Sequence, residues 1–216
     1  MQKKFKRGEN VRDAKLICIA VEGTITEKIY FESLAATYRN RKTRVVIVPR
    51  ENTDSSPTHI IRNIKEYFAD YDKQMADEVY LVLDRDRWQP KMLADVEKAC
   101  FEKSYVLIMS NPCFELWLLL HKEDVSTYSR EEKEKIRKNK RTGRSKSAKK
   151  YLEKLLSDRM RGFDKCSEAS IKKLIPKVKI AILYAKRLKP PSPEERGWPD
   201  KDIGTQVHYV AGKIIG

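Results

Sequence analysis

Asp84 and Asp86 stand two positions apart at the end of the apolar run Leu81-Val82-Leu83, interleaved with Arg85 and Arg87 and followed by Trp88. Alternation along an extended chain points both carboxylates to the same side. At the carboxyl end of a buried parallel strand, that side opens on the crevice where α/β folds bind their ligands. Two acids there make a hard-oxygen site suited to Mg2+ or Mn2+. The competing reading is a pair of ordinary loop acids neutralised by Arg85 and Arg87, since Asp-x-Asp is short and common by chance.

Two further acids belong to the same question. Glu22 follows the apolar run Leu16 to Val21 and precedes Gly23, which permits backbone geometry that a side chain would resist, so Glu22 occupies a tight strand-to-helix turn. It is either a solvated turn acid or a third member of the acidic edge. Glu115 lies within Ser110-Asn111-Pro112-Cys113-Phe114-Glu115-Leu116-Trp117-Leu118-Leu119-Leu120-His121. Ser110 or Asn111 is the expected cap of a helix there, with Pro112 in its first turn and apolar residues on every side. A carboxylate inside such a helix must be paired, protonated or metal-bound. Pairing with an arginine and a place at the acidic edge are its two readings.

The elements that must position these acids follow from periodicity. Lys15 to Val21, Arg44 to Pro49, Glu78 to Leu83 and Tyr105 to Met109 read as four strands. Between them lie a helix from Thr24 to about Tyr38, opened by a Thr24-x-x-Glu27 capping box, and one from about Thr58. The second carries Ile60, Ile61, Ile64, Phe68 and Tyr71 as its apolar stripe after a polar loop, and a third helix is entered through Pro90. Strand and helix alternating with short connections is the pattern of a parallel α/β sheet, and right-handed crossovers bring every carboxyl end to one edge. That places Glu22, Asp84, Asp86 and Ser110-Asn111 together.

From Lys122 the composition shifts, dividing an α/β domain of residues 1–121 from a basic helical appendage of residues 122–216 that completes the fold. Between Arg130 and Arg161 there are 14 Lys or Arg against 5 Asp or Glu, helical on both sides of a turn near Gly143. Arg137, Lys138, Lys140, Arg141 and Arg144 are the expected phosphate contacts of this tract, the alternative being a solvated charged face. Ile171 to Leu188 reads as a helix that Pro176 kinks or opens, Lys189 to Pro193 as a stop, and a last helix begins near Thr205, its plausible cap. His121 and His208 read as packing histidines.

Over 216 residues the net charge is +15, a field that draws polyanions, and nucleic acid is the leading partner. No Lys/Arg-faced amphipathic helix argues for a membrane surface, no signal peptide is apparent, and the apolar run Leu116 to Leu120 is too short to span a bilayer. Cys18, Cys100, Cys113 and Cys166 lack zinc-ligand spacing. A soluble, cytoplasmic protein with reduced cysteines is expected, its subunit number open and a homo-oligomer among the options.

Taken together, Val21-Glu22-Gly23-x-x-Thr26-Glu27-x-x-Tyr30-Phe31, Asp84-Arg85-Asp86, Asn111-Pro112-Cys113-Phe114-Glu115-Leu116-Trp117 and Gly204-Thr205-x-Val207-His208 resemble the RloB family across nearly the whole chain. That family in turn resembles the Toprim fold of topoisomerases, bacterial primases and overcoming-lysogeny nucleases. The resemblance implies a Toprim-like parallel sheet of about four strands flanked by helices. Glu22 then matches the Toprim glutamate, and Asp84 and Asp86 its Asp-x-Asp, acids used with Mg2+ or Mn2+ for phosphodiester chemistry; Asp84 and Asp86 would bind the metal, and Glu22 would bind it or serve as general base. Glu115 would complete a second metal site, and Arg85 or Arg87 would steady the phosphate. It also implies an effector of bacterial antiphage defence by abortive infection, accompanied by an ATPase encoded beside it. No Walker Gly-x-x-x-x-Gly-Lys occurs in the chain. The rival expectation is a non-catalytic nucleic-acid-binding or sensor module that serves that ATPase.

Overall fold

Apolar runs covered on both faces dominate the centre of the molecule. In the structure, a computed structural model, residues 14–23, 25–39, 41, 43–49, 56–69 and 77–216 are described. Strand β1 (Lys15–Val21) is flanked by β2 (Thr43–Ile47) and β3 (Glu78–Asp84); β4 (Val106–Asn111) lies beyond β3, and β5 (Gly204–Thr205) closes the far edge. The order is β2-β1-β3-β4-β5. The first four strands are parallel, with Val21 beside Val82 and Asp84 beside Ser110, while β5 runs antiparallel to β4. The carboxyl ends of β1, β3 and β4 therefore meet at one edge.

Alternation along each strand divides the core into two layers. Leu16, Cys18, Ala20, Leu81, Leu83 and Met109 face α2 (Pro57–Ala69) and α3 (Pro90–Glu102). Ile17, Ile19, Val21, Val82 and Ile108 face α1 (Thr26–Thr37), α4 (Glu115–Leu120) and the helices that follow. Those are α5 (Arg130–Lys138), α6 (Tyr151–Arg159), α7 (Glu168–Lys172), α8 (Val178–Arg187) and α9 (Val207–Ile215). The C-terminal helices thus cover α1 and α4 on that face: α7 and α9 pack on α1, α6 and α8 pack on α4, and α9 also reaches β4. No helix among the described residues is long and apolar enough to cross a membrane.

Several local expectations change in the folded chain. Thr24, the last stripe residue Tyr71 and the loop over 51–55 lie outside the described residues. Neither Ser110 nor Asn111 caps α4. Both end β4, where Ser110 Oγ hydrogen-bonds Thr205 Oγ1 at 2.7 Å and Asn111 Nδ2 donates to the Asp200 and Asp202 carbonyls. Thr205 belongs to β5, so Gln206 takes the N-cap position of α9. Pro176 breaks the expected helix over 171–188 into α7, a 3-10 turn at Ile175–Lys177 and α8, because its ring cannot continue an α-helix. The turn near Gly143 is a hairpin closed by an antiparallel bridge between Arg141 and Lys150.

Trp117, wholly buried, is ringed by Tyr30 and His121 in edge-on contacts. His121 Nδ1 lies 3.0 Å from the Trp117 carbonyl and its Nε2 3.1 Å from Tyr30 Oη, so the neutral ring donates through Nδ1 and accepts from the phenol. Burial pushes its pKa down to about 4. A histidine depressed in the fold contributes stability that is present above its unfolded value near 6.5 and lost as pH falls through about 4. Unfolding in urea from pH 7 to pH 4 should show this loss, worth on the order of 3 kcal/mol at about 1.4 per unit. His121→Gln should flatten that part of the pH profile, and an equally steep profile in the variant would remove the assignment.

Candidate functional site

Five carboxylates converge where the parallel strands end. Glu22 directly follows β1, and its backbone N–H extends the ladder by donating to the Val82 carbonyl at 3.1 Å. Its buried carboxylate crosses to the neighbouring strand, where Oε2 accepts from the Asp84 backbone N–H and from Trp88 Nε1, both at 3.0 Å. Oε1 lies 2.8 Å from Arg87 Nη1. Burial raises the Glu22 pKa against these three stabilising partners. Glu22 is therefore an anchor that sets the position of the Asp84 to Trp88 turn, and its burial excludes the solvated turn acid.

The second aspartate is not carried on an extended strand. β3 stops at Asp84, and Arg85–Arg87 form a 3-10 turn, so alternation does not orient Asp86. Asp86 is instead held by its backbone N–H, which donates to the Pro112 carbonyl at 3.0 Å, and by Lys150 Nζ, 2.9 Å from Oδ2. Asp84 Oδ1 accepts from the Phe114 N–H at 2.8 Å, so a residue distant in sequence satisfies a backbone donor at the start of α4, where Ser110 or Asn111 is the expected cap. Burial, then Glu27, Glu115, Glu22 and Asp86 as like charges, hold the Asp84 carboxyl well above the ordinary aspartate value.

Glu115 has both of its expected properties, with a lysine in place of the arginine. Lys165 Nζ lies 2.7 Å from Glu115 Oε1 and 3.6 Å from Glu153 Oε2. Burial opposes ionisation of Glu115, but Lys165 and the Cys113 thiol outweigh it and hold its pKa below the usual value. Cys113 is buried, receives a hydrogen bond from Asn139 Nδ2, and is kept protonated by burial and by Glu115, Asp84 and Asp86.

Glu27 was expected only to close a capping box, and the structure puts it in the site. The N-cap position of α1 is Ile25, without a side-chain cap. The Glu27 carboxylate lies over the Gly23 backbone, where a β-carbon would come within 1.9 Å of its Oε2. Gly23 is thus needed for this close approach, whereas a left-handed turn is not what it supplies. Glu27 is buried, and that burial, with Glu115 and Glu22 nearby, pushes its pKa up to about 7. It lines a cavity of about 250 Å3 together with Gly23, Asp84, Arg87, Glu115 and Lys165. The sequence signal for it was its place one helical turn after Gly23, a spacing that also describes a cap.

Among the described residues, the ligand atoms of Asp84, Cys113 and Glu115 all fall within 4.8 Å of one another. The oxygen donors fit a hard divalent cation, since Asp84, Glu27 and Glu115 are crowded carboxylates whose mutual repulsion such an ion would relieve. The protonated Cys113 sulfur does not fit as a ligand; it serves Glu115 as a hydrogen-bond donor. Among the described residues, Arg87, Lys150 and Lys165 pair with Glu22, Asp86 and Glu115.

Most of the expected phosphate contacts already have partners within the chain. Arg85 donates through Nε and Nη2 to Asp200 Oδ1 at 2.9 and 2.7 Å and through Nη1 to the Trp88 carbonyl, which makes it a strut. Arg137 and Lys138 pair with Glu134, and Arg141 donates to the Ala148 carbonyl. Lys140 and Arg144 are exposed.

A family model described as RloB-like protein matches residues 17–214. No curated protein and no solved structure matches the chain.

Two measurements test the electrostatics of the site. A carboxyl raised in the fold favours stability below its unfolded value near 4.5, and that contribution is lost as pH rises through about 7. In metal-free buffer Glu27→Gln should therefore raise the melting temperature at pH 8 and leave it level at pH 4.5; an unchanged value at pH 8 would show that Glu27 is not strained by its neighbours. Lys165→Met leaves Glu115 without its cation and should cost roughly 2 kcal/mol, less than a fully buried pair because Lys165 is about a third exposed. Adding Glu115→Gln should recover most of that loss in chemical denaturation, and no recovery would mean the lysine acts by packing.

Proposed function

We propose, for a chain that belongs to the RloB-like family, a Mg2+- or Mn2+-dependent Toprim-like nuclease that hydrolyses phosphodiester bonds in nucleic acid. The observation that carries this reading is the convergence of Glu22, Glu27, Asp84, Asp86 and Glu115 at the carboxyl edge of a parallel sheet, with the Asp84 carboxyl raised by burial and then by the like charges around it. Its setting as an effector of antiphage abortive infection, beside an ATPase, is drawn from the family resemblance.

Asp84 and Glu115 would hold the cation, and Glu22 and Trp88 would keep the turn that carries Asp84 in place. A bound Mg2+ or Mn2+ supplies charge neutralisation at the phosphate and acidifies the attacking water. Glu27, near neutrality in its pKa, is suited to take that water's proton at physiological pH. Arg87, about half exposed, and Lys150 stand at the rim and would exchange Glu22 and Asp86 for phosphate oxygens as the substrate arrives.

A second reading is supported by those same pairs. Arg87, Lys150 and Lys165 already neutralise three of the acids, as suits a module that binds nucleic acid without cutting it. Incubation with labelled plasmid, single-stranded DNA and total tRNA, with and without Mn2+, separates the two. Cleavage by the wild type only with metal, lowered at least roughly a hundredfold in Asp84→Asn and in Glu27→Gln, is the expected result. Cutting by Asp84→Asn at the wild-type rate would end the nuclease reading in favour of the binding module.

A further inference from the structure

Part of the basic tract of residues 130–161 meets two distant segments at a groove. Arg130, Lys133 and Arg137 recur at i, i+3 and i+7 and so share one face of α5. That face lines a cavity of about 570 Å3 whose other side is built by Arg187 at the end of α8 and by Lys201. Five cations therefore line one cavity, against the two carboxylates Glu134 and Asp202. No aromatic ring is among its lining residues.

The groove is tied to the acidic edge through its own wall. Asp200, next to Lys201, binds Arg85 in the turn that carries Asp84 and Asp86, and Asn111 at the end of β4 donates to the carbonyls of Asp200 and Asp202. A ligand in the groove thus lies beside the carboxyl ends of β3 and β4. Some of its cations already have partners: Arg137 pairs with Glu134, Arg187 with Asp124, and Lys133 donates to the Ser126 carbonyl at 2.6 Å. Among the described residues Arg130 and Lys201 are exposed and have no ionic partner.

We infer that this groove is the track for the phosphodiester backbone of a nucleic acid, and that it leads the strand toward the acidic edge. The α5 cations span about 10 Å at 1.5 Å per residue, room for roughly three phosphates at 3.4 Å of axial rise. With no ring to stack on bases, contact is made through phosphates and is independent of sequence. The groove's role as a substrate track rests on the nuclease reading, but its affinity for the backbone does not.

The test is an anisotropy titration of a labelled DNA duplex in EDTA, repeated from low to moderate salt. Arg130→Gln with Lys201→Gln should flatten the log–log salt slope by roughly 1.5 to 2 units, about 0.9 for each phosphate no longer neutralised. Lys98→Gln with Lys179→Gln, two exposed cations outside the groove, should leave the slope within about half a unit of wild type. Equal slopes for the groove variant and the wild type, with melting temperatures matched, would overturn the inference, as would an equal loss in the control pair. Asp84→Asn should bind with the wild-type slope. If no variant or wild type cuts while the groove variant alone loses slope, the track stands and the nuclease reading falls.

Discussion

Buried carboxylates at the end of a parallel sheet repel one another, and each must also give up water to enter the fold. Glu22, Glu27, Asp84 and Glu115 are subject to both penalties, with the exposed Asp86 beside them as a further like charge, and the environments of these four push them apart in acidity. Glu115 is held ionised by Lys165 and the Cys113 thiol, while Glu27 and Asp84, with less compensation, are raised. One cluster of acids thereby offers both a carboxylate that stays charged, Glu115, and a carboxyl ready to exchange a proton near neutrality, Glu27. Environments that divide like groups in this way are the usual basis of acid and base roles in one site.

The same constraint explains why the C-terminal segment cannot be a loose appendage. Lys165 and Lys150, which neutralise Glu115 and Asp86, both come from beyond residue 122. Asn139, at the left-handed end of α5, accepts from the Leu152 N–H through Oδ1 and donates to Cys113 through Nδ2, linking two C-terminal helices to the site's thiol. Gln206, fully buried, accepts from the Met109 N–H and donates to the Pro191 and Gly197 carbonyls, which fixes the strap before β5 against β4. Asp200 on that strap holds Arg85. Removing the C-terminal segment would strip both counter-charge and core from the sheet.

Much of this was readable along the chain. The four parallel strands follow from short apolar β-branched runs, their helices from apolar stripes, and the shared edge from the handedness of crossovers, which brings the ends of the strands that carry Glu22 and Asp84 together. These are signals of period and composition, and they need no knowledge of what lies across the fold. Tertiary contact decided the rest. Glu27 has the sequence form of a cap, and only the approach of its carboxylate to Gly23 makes it part of the site. Trp88 and Cys113 gain their roles from partners far away in sequence, the strand β5 is two residues long, and Lys165 is one basic residue among many until it reaches Glu115. Side-chain pairing across distant segments leaves no period in the sequence. The sequence by itself therefore determined which edge is acidic, while the folded chain decided which acids carry charge there and which cations answer them.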